Sequence, residues 1–339
     1  MAEKKRYRVG VIGFAHMHVN EHIRAFNAHP QVDWVACADT QPGNPATENI
    51  GGTRRANIRR TLEETGMTRT YDDYREMLAE ETFDIVVFCP ENARCGDVAE
   101  AIAAHGAHMI TEKPTTAGLP EMLRAVRAAR NAGVTLATDW PISYNPAVRK
   151  AKELADGGEI GEVWEVKWRN GASLGPLATG SHHPAGTVVT DAVPEDELTK
   201  EWWYQMAEGG GALLDYCCYG ACFSTWILDR PATAVQALAA NLRSPWGDAE
   251  DNAVILARFP KALGLIEASW TTYHTGNRTG GVIYGSEGTI VLEGGKALVY
   301  KDRKSAEPSE VHEGDRIPDD RDDLAKDLIH HLDTGDPLH

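Results

Sequence analysis

The chain has 339 residues, of which 42% are hydrophobic and 25% are charged, values typical of a globular protein with room for two cores. Its formal net charge of −16 argues against a nucleic-acid or anionic-membrane partner, because both need a basic surface. No apolar run approaches the ~20 residues of a membrane span, and the first residues lack the apolar segment of a secretory signal, so we expect a cytoplasmic protein.

The first predicted elements form the start of a dinucleotide-binding unit. A strand over residues 7–12 runs into a turn at Gly13 and then into a helix, an order that places a pyrophosphate at the helix N-terminus. Only Gly13 remains of the usual G-x-G-x-x-G pattern, because Ala15 and His18 replace the other two glycines. The residues of this turn that we expect to contact the cofactor are Gly13, Phe14, Ala15 and His16.

A second predicted strand, Val32–Ala38, ends at Asp39. An acid at this place accepts hydrogen bonds from the adenosine ribose hydroxyls and repels a 2′-phosphate, so it predicts NAD rather than NADP. Four arginines follow on a later helical stretch, namely Arg54, Arg55, Arg59 and Arg60. They could reverse this preference, although a solvated helix face is the alternative interpretation.

Three histidines near the glycine turn, His16, His18 and His22, raise the question of a metal site. His18 and His22 are one helical turn apart, but a zinc site would need a carboxylate or thiolate to complete the ligand set. The one acid near them in sequence, Glu21, lies on a different face of the helix. We therefore expect no metal and interpret these histidines as polar residues at a helix terminus.

Strands and helices then alternate as far as residue 139, which predicts a parallel sheet covered by helices on both faces. The predicted strands are 83–89, 107–111 and 134–138, and the predicted helices are 71–80, 95–105 and 120–132. This α/β pattern predicts a doubly wound NAD-binding Rossmann domain over residues 1–139. The loop after the strand at 83–89 supplies Pro90 and Asn92 as further expected cofactor contacts.

The stretch Thr111-Glu112-Lys113-Pro114 ends the strand at 107–111. Proline donates no N–H and fixes its own φ, so it ends the strand and presents Lys113 at the carboxyl end, where open α/β sheets bind their ligands. A surface lysine beside a turn proline is the alternative. We expect Glu112 and Lys113 to contact the cofactor.

Residues 140–339 predict an α+β substrate-binding and oligomerisation domain with an open, mainly antiparallel sheet. A helix is predicted over 145–157, and the predicted strands are 163–168, 234–241, 252–259, 262–272, 281–285, 289–292 and 297–300. A long irregular segment over 171–200 carries His182 and His183, and loops of this length usually have a function. The adjacent rings of Trp202 and Trp203 suit the apolar faces of a sugar, although packing onto the sheet is an equal alternative.

A glycine run at 209–211 opens a helix predicted over 212–228. Asp215 and Tyr219 are four residues apart on this helix and therefore share one face. An acid and a phenol aligned beyond a glycine turn form the strongest catalytic candidate of the second half. The alternative is a helix-surface acid beside a half-buried tyrosine.

Together these motifs resemble the Gfo/Idh/MocA family, named after glucose–fructose oxidoreductase, inositol dehydrogenase and MocA. The resemblance covers most of the chain and is most specific where Glu112-Lys113-Pro114 combines with Gly-Gly-Gly-x-Leu-x-Asp at 209–215. It implies a Rossmann domain followed by an α/β domain, whose open sheet lines the substrate site and commonly forms the subunit interface. A homodimer or homotetramer through that C-terminal sheet is therefore expected.

Three positions qualify the resemblance. Tyr219 stands where many members have histidine, which resembles the tyrosine-type branch of glucose–fructose oxidoreductase and the dihydrodiol dehydrogenases. Ser143 stands where many members have an arginine, which weakens the transfer of substrate contacts. Residues 321–339 resemble a late helix and turn after which members usually add another helix, so truncation at the C-terminus is expected.

The resemblance implies NAD-dependent oxidation of a secondary or hemiacetal alcohol on a sugar, cyclitol or related polyol. Tyr219 would remove the hydroxyl proton, Lys113 would favour the phenolate, and Asp215 would orient a neighbouring hydroxyl. The expected substrate contacts are Lys113, His182, His183, Trp202, Trp203, Asp215 and Tyr219. Two alternatives stay open: tightly held NAD used transiently in a net hydrolysis, elimination or epimerisation, and a non-catalytic NAD or sugar sensor.

Overall fold

Two β-sheets organise the chain in this computed structural model, which describes residues 5–40, 52–171, 175–178, 192–273 and 280–339. The strands of the first sheet are β1 (Tyr7–Phe14), β2 (Val32–Ala38), β3 (Thr70–Tyr71), β4 (Ile85–Cys89), β5 (His108–Glu112) and β6 (Leu136–Asp139). All are parallel, in the order β3-β2-β1-β4-β5-β6. This is the doubly wound Rossmann order, so the predicted fold of the first half is confirmed.

Helices connect these strands and cover both faces of the first sheet. They are α1 (Val19–Asn27), α2 (Arg54–Thr65), α3 (Tyr74–Glu80), α4 (Asn92–His105) and α5 (Leu119–Ala132). Apolar side chains of α1 pack on one face of the sheet, and those of α3, α4 and α5 pack on the other. Because both faces are buried, strands such as β4 are continuous apolar runs rather than alternating ones.

The second sheet follows with eight strands in the described residues. They are β7 (Val163–Gly171), β8 (Ala234–Ala240), β9 (Asn252–Arg258), β10 (Leu263–Ser269), β11 (Gly280–Gly285), β12 (Thr289–Glu293), β13 (Lys296–Tyr300) and β14 (Glu310–His312). Their order is β14-β13-β12-β11-β7-β10-β9-β8, and β7 and β10 alone among the described pairs are parallel. The predicted open, mainly antiparallel sheet is confirmed.

The remaining helices are α6 (Pro146–Asp156), α7 (Glu195–Leu198), α8 (Cys218–Leu228) and α9 (Leu324–Thr334). Side chains of α6 and α8 pack on one face of the second sheet. The helix predicted over 212–228 begins with a π-helical turn, Leu213–Cys217, and continues as α8. Within the described ranges no helix has both the length and the apolar character needed to cross a membrane.

The late helix α9 packs on the first sheet rather than the second. Leu324, Leu328 and Ile329 join the core beneath α1, and Tyr7 on β1 donates a hydrogen bond to Asp333 at 2.5 Å. The end of the chain therefore stabilises the layer that carries the dinucleotide-binding turn. The domain division at residue 139 stays a prediction, and α9 is the element that crosses it.

Candidate active site

Lys113 follows the last residue of β5 and reaches across to the second domain. Its ammonium donates to Asp215 Oδ1 at 2.5 Å and to the backbone carbonyl of Asp215 at 3.0 Å. Both side chains are buried. Burial lowers the pKa of Lys113, but the Asp215 carboxylate outweighs it and holds this pKa well above its usual range. Lys113 is therefore a fixed positive charge at the carboxyl end of β5.

Each oxygen of the Asp215 carboxylate accepts a hydrogen bond. Oδ1 accepts from the Lys113 ammonium, and Oδ2 accepts from the Trp270 indole N–H at 3.1 Å. Trp270 directly follows β10 and is itself buried. Trp270 is not among the predicted site residues, because an apolar strand pattern gives no sign of which indole directs its N–H toward a buried acid.

Tyr219 lies beside Lys113, as its position four residues after Asp215 predicts. The Lys113 ammonium is 5.0 Å from the centre of the Tyr219 ring, and the Trp168 ring is parallel to that of Tyr219 with 6.5 Å between their centres. Burial raises the pKa of Tyr219 above its ordinary value, and the lowering effect of Lys113 does not offset it. Lys113 thus acts in the expected direction, toward the phenolate, but burial has the larger effect and favours the phenol.

The glycine run before this helix is explained by close packing at its start. Gly211 has φ +108, and a Cβ there would lie 2.3 Å from Glu250 Oε1. Glu250 uses that space to accept the backbone N–H of Leu213 at 3.0 Å, and its own carbonyl accepts from Ala212 at 2.9 Å. Glu250 thus accepts hydrogen bonds from two N–H groups in the first turn of the helix, the turn on which Asp215 lies.

The predicted cofactor turn adopts the geometry of a dinucleotide-binding start. Gly13 has φ +79, and a Cβ there would lie 2.7 Å from the backbone nitrogen of Pro90, so only glycine allows the turn to approach the β4–α4 loop. The first N–H groups of α1, those of Val19, Asn20 and Glu21, donate to the carbonyls of His16, Met17 and His18. The close approach at Gly13, rather than open N–H groups of the helix, is therefore the feature that fits a dinucleotide-binding turn.

Asp39 follows the end of β2 as predicted. Its partner is Arg54, which the sequence pattern would place on a solvated helix face. The Arg54 guanidinium pairs with both Asp39 and Glu91 and is itself buried. The solvated-face interpretation is therefore wrong for Arg54, while Arg59 on the same helix is exposed. Burial raises the pKa of Asp39 above its ordinary value against the opposing effect of Arg54.

A cleft of about 280 Å³ opens at this end of β2, beside Asp39. Its lining is formed by Asp39, Thr40, Asp72, Asp73, Tyr74, Arg75, Arg94, Asp97 and Val98. The next predicted cofactor residue, Asn92, begins α4 and donates its side-chain amide to the Gly209 carbonyl at 2.8 Å. This hydrogen bond ties the β4–α4 loop to the glycine run of the second domain.

Trp202 and Trp203 lie between the domains and not at an open surface. Their rings stack at 4.0 Å, Trp202 donates to the Ala15 carbonyl at 3.0 Å, and His16 packs edge-on against Trp203 at 4.8 Å. Both rings are buried, so the packing alternative explains them and we do not propose a sugar-stacking role. His182 and His183, the other predicted substrate contacts on this side, lie outside the described residues.

The histidines of the turn meet an acid that the sequence analysis did not place near them. Glu112 Oε2 lies 3.2 Å from His18 Nδ1, and Glu112 Oε1 lies 3.0 Å from His22 Nε2. The expectation that Glu21 is the one acid available to these histidines is wrong, because Glu112 at the end of β5 faces α1. Direct cofactor contact by Glu112 stays a prediction.

Comparison with known families assigns both halves of the chain. Residues 7–139 match the model of an oxidoreductase family with an NAD-binding Rossmann fold, and residues 148–291 match the Gfo/Idh/MocA C-terminal domain. Together these matches cover well over half of the 339 residues. They confirm the expected NAD cofactor and the expected oxidoreductase class.

Individual relatives are distant. The chain is 24% identical over 307 residues to levoglucosan dehydrogenase of Pseudarthrobacter phenanthrenivorans, covering 84% of this chain and 73% of that one. It is 23% identical over 247 residues to an NAD-dependent scyllo-inositol 2-dehydrogenase of Bacillus subtilis, covering 72% and 65%. The WlbA dehydrogenase of Bordetella pertussis, solved with NADH and UDP-GlcNAcA, superposes with a TM-score of 0.72 at 20% identity, covering 99% and 90%. The structural likeness shows a shared fold.

Proposed function

We propose that this chain, which belongs to the Gfo/Idh/MocA family of NAD-binding oxidoreductases, transfers a hydride between NAD and a hydroxyl-bearing carbon of a sugar, cyclitol or related polyol. The observation that carries the proposal is the position of the Lys113 ammonium. It lies at the carboxyl end of β5, hydrogen-bonded to Asp215 and 5.0 Å from the Tyr219 ring. The substrates named for the two sequence relatives, levoglucosan and scyllo-inositol, support the polyol class.

The residues that hold NAD in this proposal are those of the turn and the β2 end, Gly13 and Asp39 among them. Bound NAD⁺ would supply a hydride acceptor for oxidation, and bound NADH would supply a hydride donor for reduction. Lys113 stabilises negative charge on the substrate oxygen, since its ammonium has three donors and Asp215 takes two of them. Asp215 fixes the direction of that ammonium, and Trp270 fixes Asp215.

Tyr219 handles the hydroxyl proton in this proposal. Because its pKa is raised by burial, the phenol is the resting form, ready to donate a proton when a carbonyl is reduced. In oxidation the same group must first lose its proton, and the Lys113 charge assists that loss. Lys113 itself stays charged and does not act as the base.

The test is a panel of sugars and cyclitols offered with NAD, with NADH absorbance as the readout. A second measurement identifies the nucleotide released when the purified protein is denatured. Substrate-dependent NADH formation supports the proposal. Retained nucleotide without net reduction would instead favour transient oxidation within a hydrolysis, elimination or epimerisation.

We also infer that copies of the chain associate through the open face of the second sheet, as a homodimer or homotetramer. The inference is supported by exposed apolar side chains on this face of β8, β9 and β10: Leu238, Val254, Leu256 and Leu263. An exposed apolar patch of several strands is typical of a protein–protein contact surface. Light scattering of the purified chain measures the state directly.

A further inference from the structure

Three side chains from different elements converge below Lys113, outside the groups that handle the substrate. His22 comes from α1, Glu112 from the end of β5 and Asp139 from the end of β6. One ligand-type atom from each lies within 4.8 Å of the other two. His22 and Glu112 are buried, while Asp139 is partly exposed and opens the group toward the surface.

The two carboxylates are brought together by the sheet itself. Glu112 and Asp139 are register partners in the parallel pair β5–β6, so their side chains leave adjacent strand ends. Two carboxylates held this close repel each other, and a cation placed beside them offsets that repulsion.

Polar atoms of His22, Glu112 and Asp139 lack hydrogen-bond partners of good geometry in the described residues. His22 Nε2 lies 3.0 Å from Glu112 Oε1, and His18 Nδ1 lies 3.2 Å from Glu112 Oε2, yet His22 Nε2 and both Glu112 oxygens are buried without such a hydrogen bond. Across the described ranges, no hydrogen bond and no ion pair reaches the Asp139 carboxylate. Asp139 therefore lies near His22 and Glu112 without a hydrogen bond to either. A bound cation would supply the missing partner.

We propose that His22, Glu112 and Asp139 bind a divalent transition-metal ion, with His18 holding the second oxygen of Glu112. Two donors that are each ~2.1 Å from one ion are ~3.0 to 3.4 Å apart, depending on the coordination angle. The 3.0 Å between His22 Nε2 and Glu112 Oε1 lies within that range. One imidazole and two carboxylates suit ions such as Zn²⁺ and Mn²⁺.

His18 has the role that outer hydrogen-bond partners have in known metal sites. A ligating carboxylate is commonly oriented by a donor on its other oxygen, and loss of such a donor typically costs ~10–100-fold in metal affinity. The ion would link α1, β5 and β6, and its ligand Glu112 directly precedes Lys113 in the chain. It would also reduce the negative charge that Glu112 places near the Lys113 and Tyr219 pair.

The test is metal binding by the full chain, measured without any sugar substrate. The purified protein is treated with EDTA, dialysed, and titrated with Zn²⁺ and with Mn²⁺ by calorimetry, and metal content is measured before and after chelation. We expect one ion per chain for at least one of the two metals, and a rise in Tm on adding that metal. Asp139→Asn should weaken binding at least ~10-fold, and Glu112→Gln should abolish it.

The matched control is Glu310→Gln on β14, which alters a carboxylate paired with His312 at 3.1 Å outside this group. It should bind the metal like the unmodified chain. If Glu112→Gln fails to fold, Asp139→Asn carries the test, because Asp139 has no hydrogen bond to lose in the described residues. The proposal is overturned if the unmodified chain binds neither metal, or if Asp139→Asn and the unmodified chain bind equally. Because no readout uses turnover, failure here is distinguishable from failure of the proposed dehydrogenase activity.

Discussion

The Lys113 ammonium and the Asp215 carboxylate lie 2.5 Å apart, although 102 residues separate them in the chain. The pair joins the end of β5 to the π-helical turn of the second domain, and both members are buried. A charge left alone in such a place costs much more than the pair contributes, because burial removes its hydration. The structural role of this pair can therefore be measured apart from the catalytic role that we propose for Lys113.

We expect Asp215→Ala to lower the free energy of unfolding by about 3–5 kcal/mol, because it leaves the Lys113 ammonium buried without its partner. The double variant Lys113→Met, Asp215→Leu should recover much of that loss while showing no turnover. Denaturant unfolding and NADH formation measure the two effects. Equal stability of Asp215→Ala and the unmodified chain would mean that solvent reaches Lys113.

Lys113 and Tyr219 are expected to act as one unit in proton handling and charge stabilisation. Lys113→Ala and Tyr219→Phe should each reduce turnover by at least ~10²-fold, with NAD binding largely kept. The double variant should be little worse than either single variant, since residues that act together are not additive. Steady-state kinetics and an NAD titration check this, and additive losses would indicate two independent roles.

The raised pKa of Tyr219 predicts the pH dependence of the oxidation. The deprotonated phenol is the active form in this direction, so kcat/KM for the alcohol should rise with pH and should not level off below pH ~10. Reduction of the ketone should show the opposite slope, because it uses the protonated phenol. A plateau of kcat/KM near neutral pH in the oxidation would indicate a base other than Tyr219. The control is Tyr219→Phe, which would then show the same pH profile as the unmodified chain.

Asp39 and Arg54 predict how the chain discriminates between NAD and NADP. Asp39→Ala removes the repulsive carboxylate and frees one side of the Arg54 guanidinium to meet a 2′-phosphate. The ratio of kcat/KM for NADP to that for NAD should rise at least ~10-fold, which corresponds to about 1.4 kcal/mol.

Adding Arg54→Gln to Asp39→Ala should cancel the gain in NADP use. Arg59→Gln is the matched control, because Arg59 lies on the same helix and its side chain is 53% exposed. If Arg59→Gln cancels the gain equally, the general positive charge of α2 is responsible. If the unmodified chain already prefers NADP, the Asp39 argument fails.

The exposed apolar face of the second sheet predicts the effect of a charge placed in it. Leu238 on β8 is 76% exposed, and Leu238→Lys should shift the chain to smaller species in light scattering, because a lysine is costly to bury in an apolar contact. Leu119→Lys on α5, where the leucine is 70% exposed, is the control and should leave the mass unchanged. An unchanged mass in Leu238→Lys would contradict association through this face.

The sequence by itself determined the order of the elements and the places of the candidate catalytic residues. Alternating apolar runs and helical patterns predicted a parallel sheet, and that sheet places the end of β5 at the ligand-binding edge. Pro114 and the four-residue spacing of Asp215 and Tyr219 are local signals, so Lys113, Asp215 and Tyr219 could be selected before any contact was known.

The tertiary structure decided which distant side chains meet and how strongly burial acts on them. Trp270 on Asp215, Arg54 on Asp39 and Glu112 between two histidines each join segments whose periodicity contains no information about the partner. The pKa of Tyr219 likewise depends on desolvation by residues far away in the chain, which outweighs the nearby ammonium. Local patterns specify strands, helices and turns, whereas long-range packing sets the charge state of a buried site.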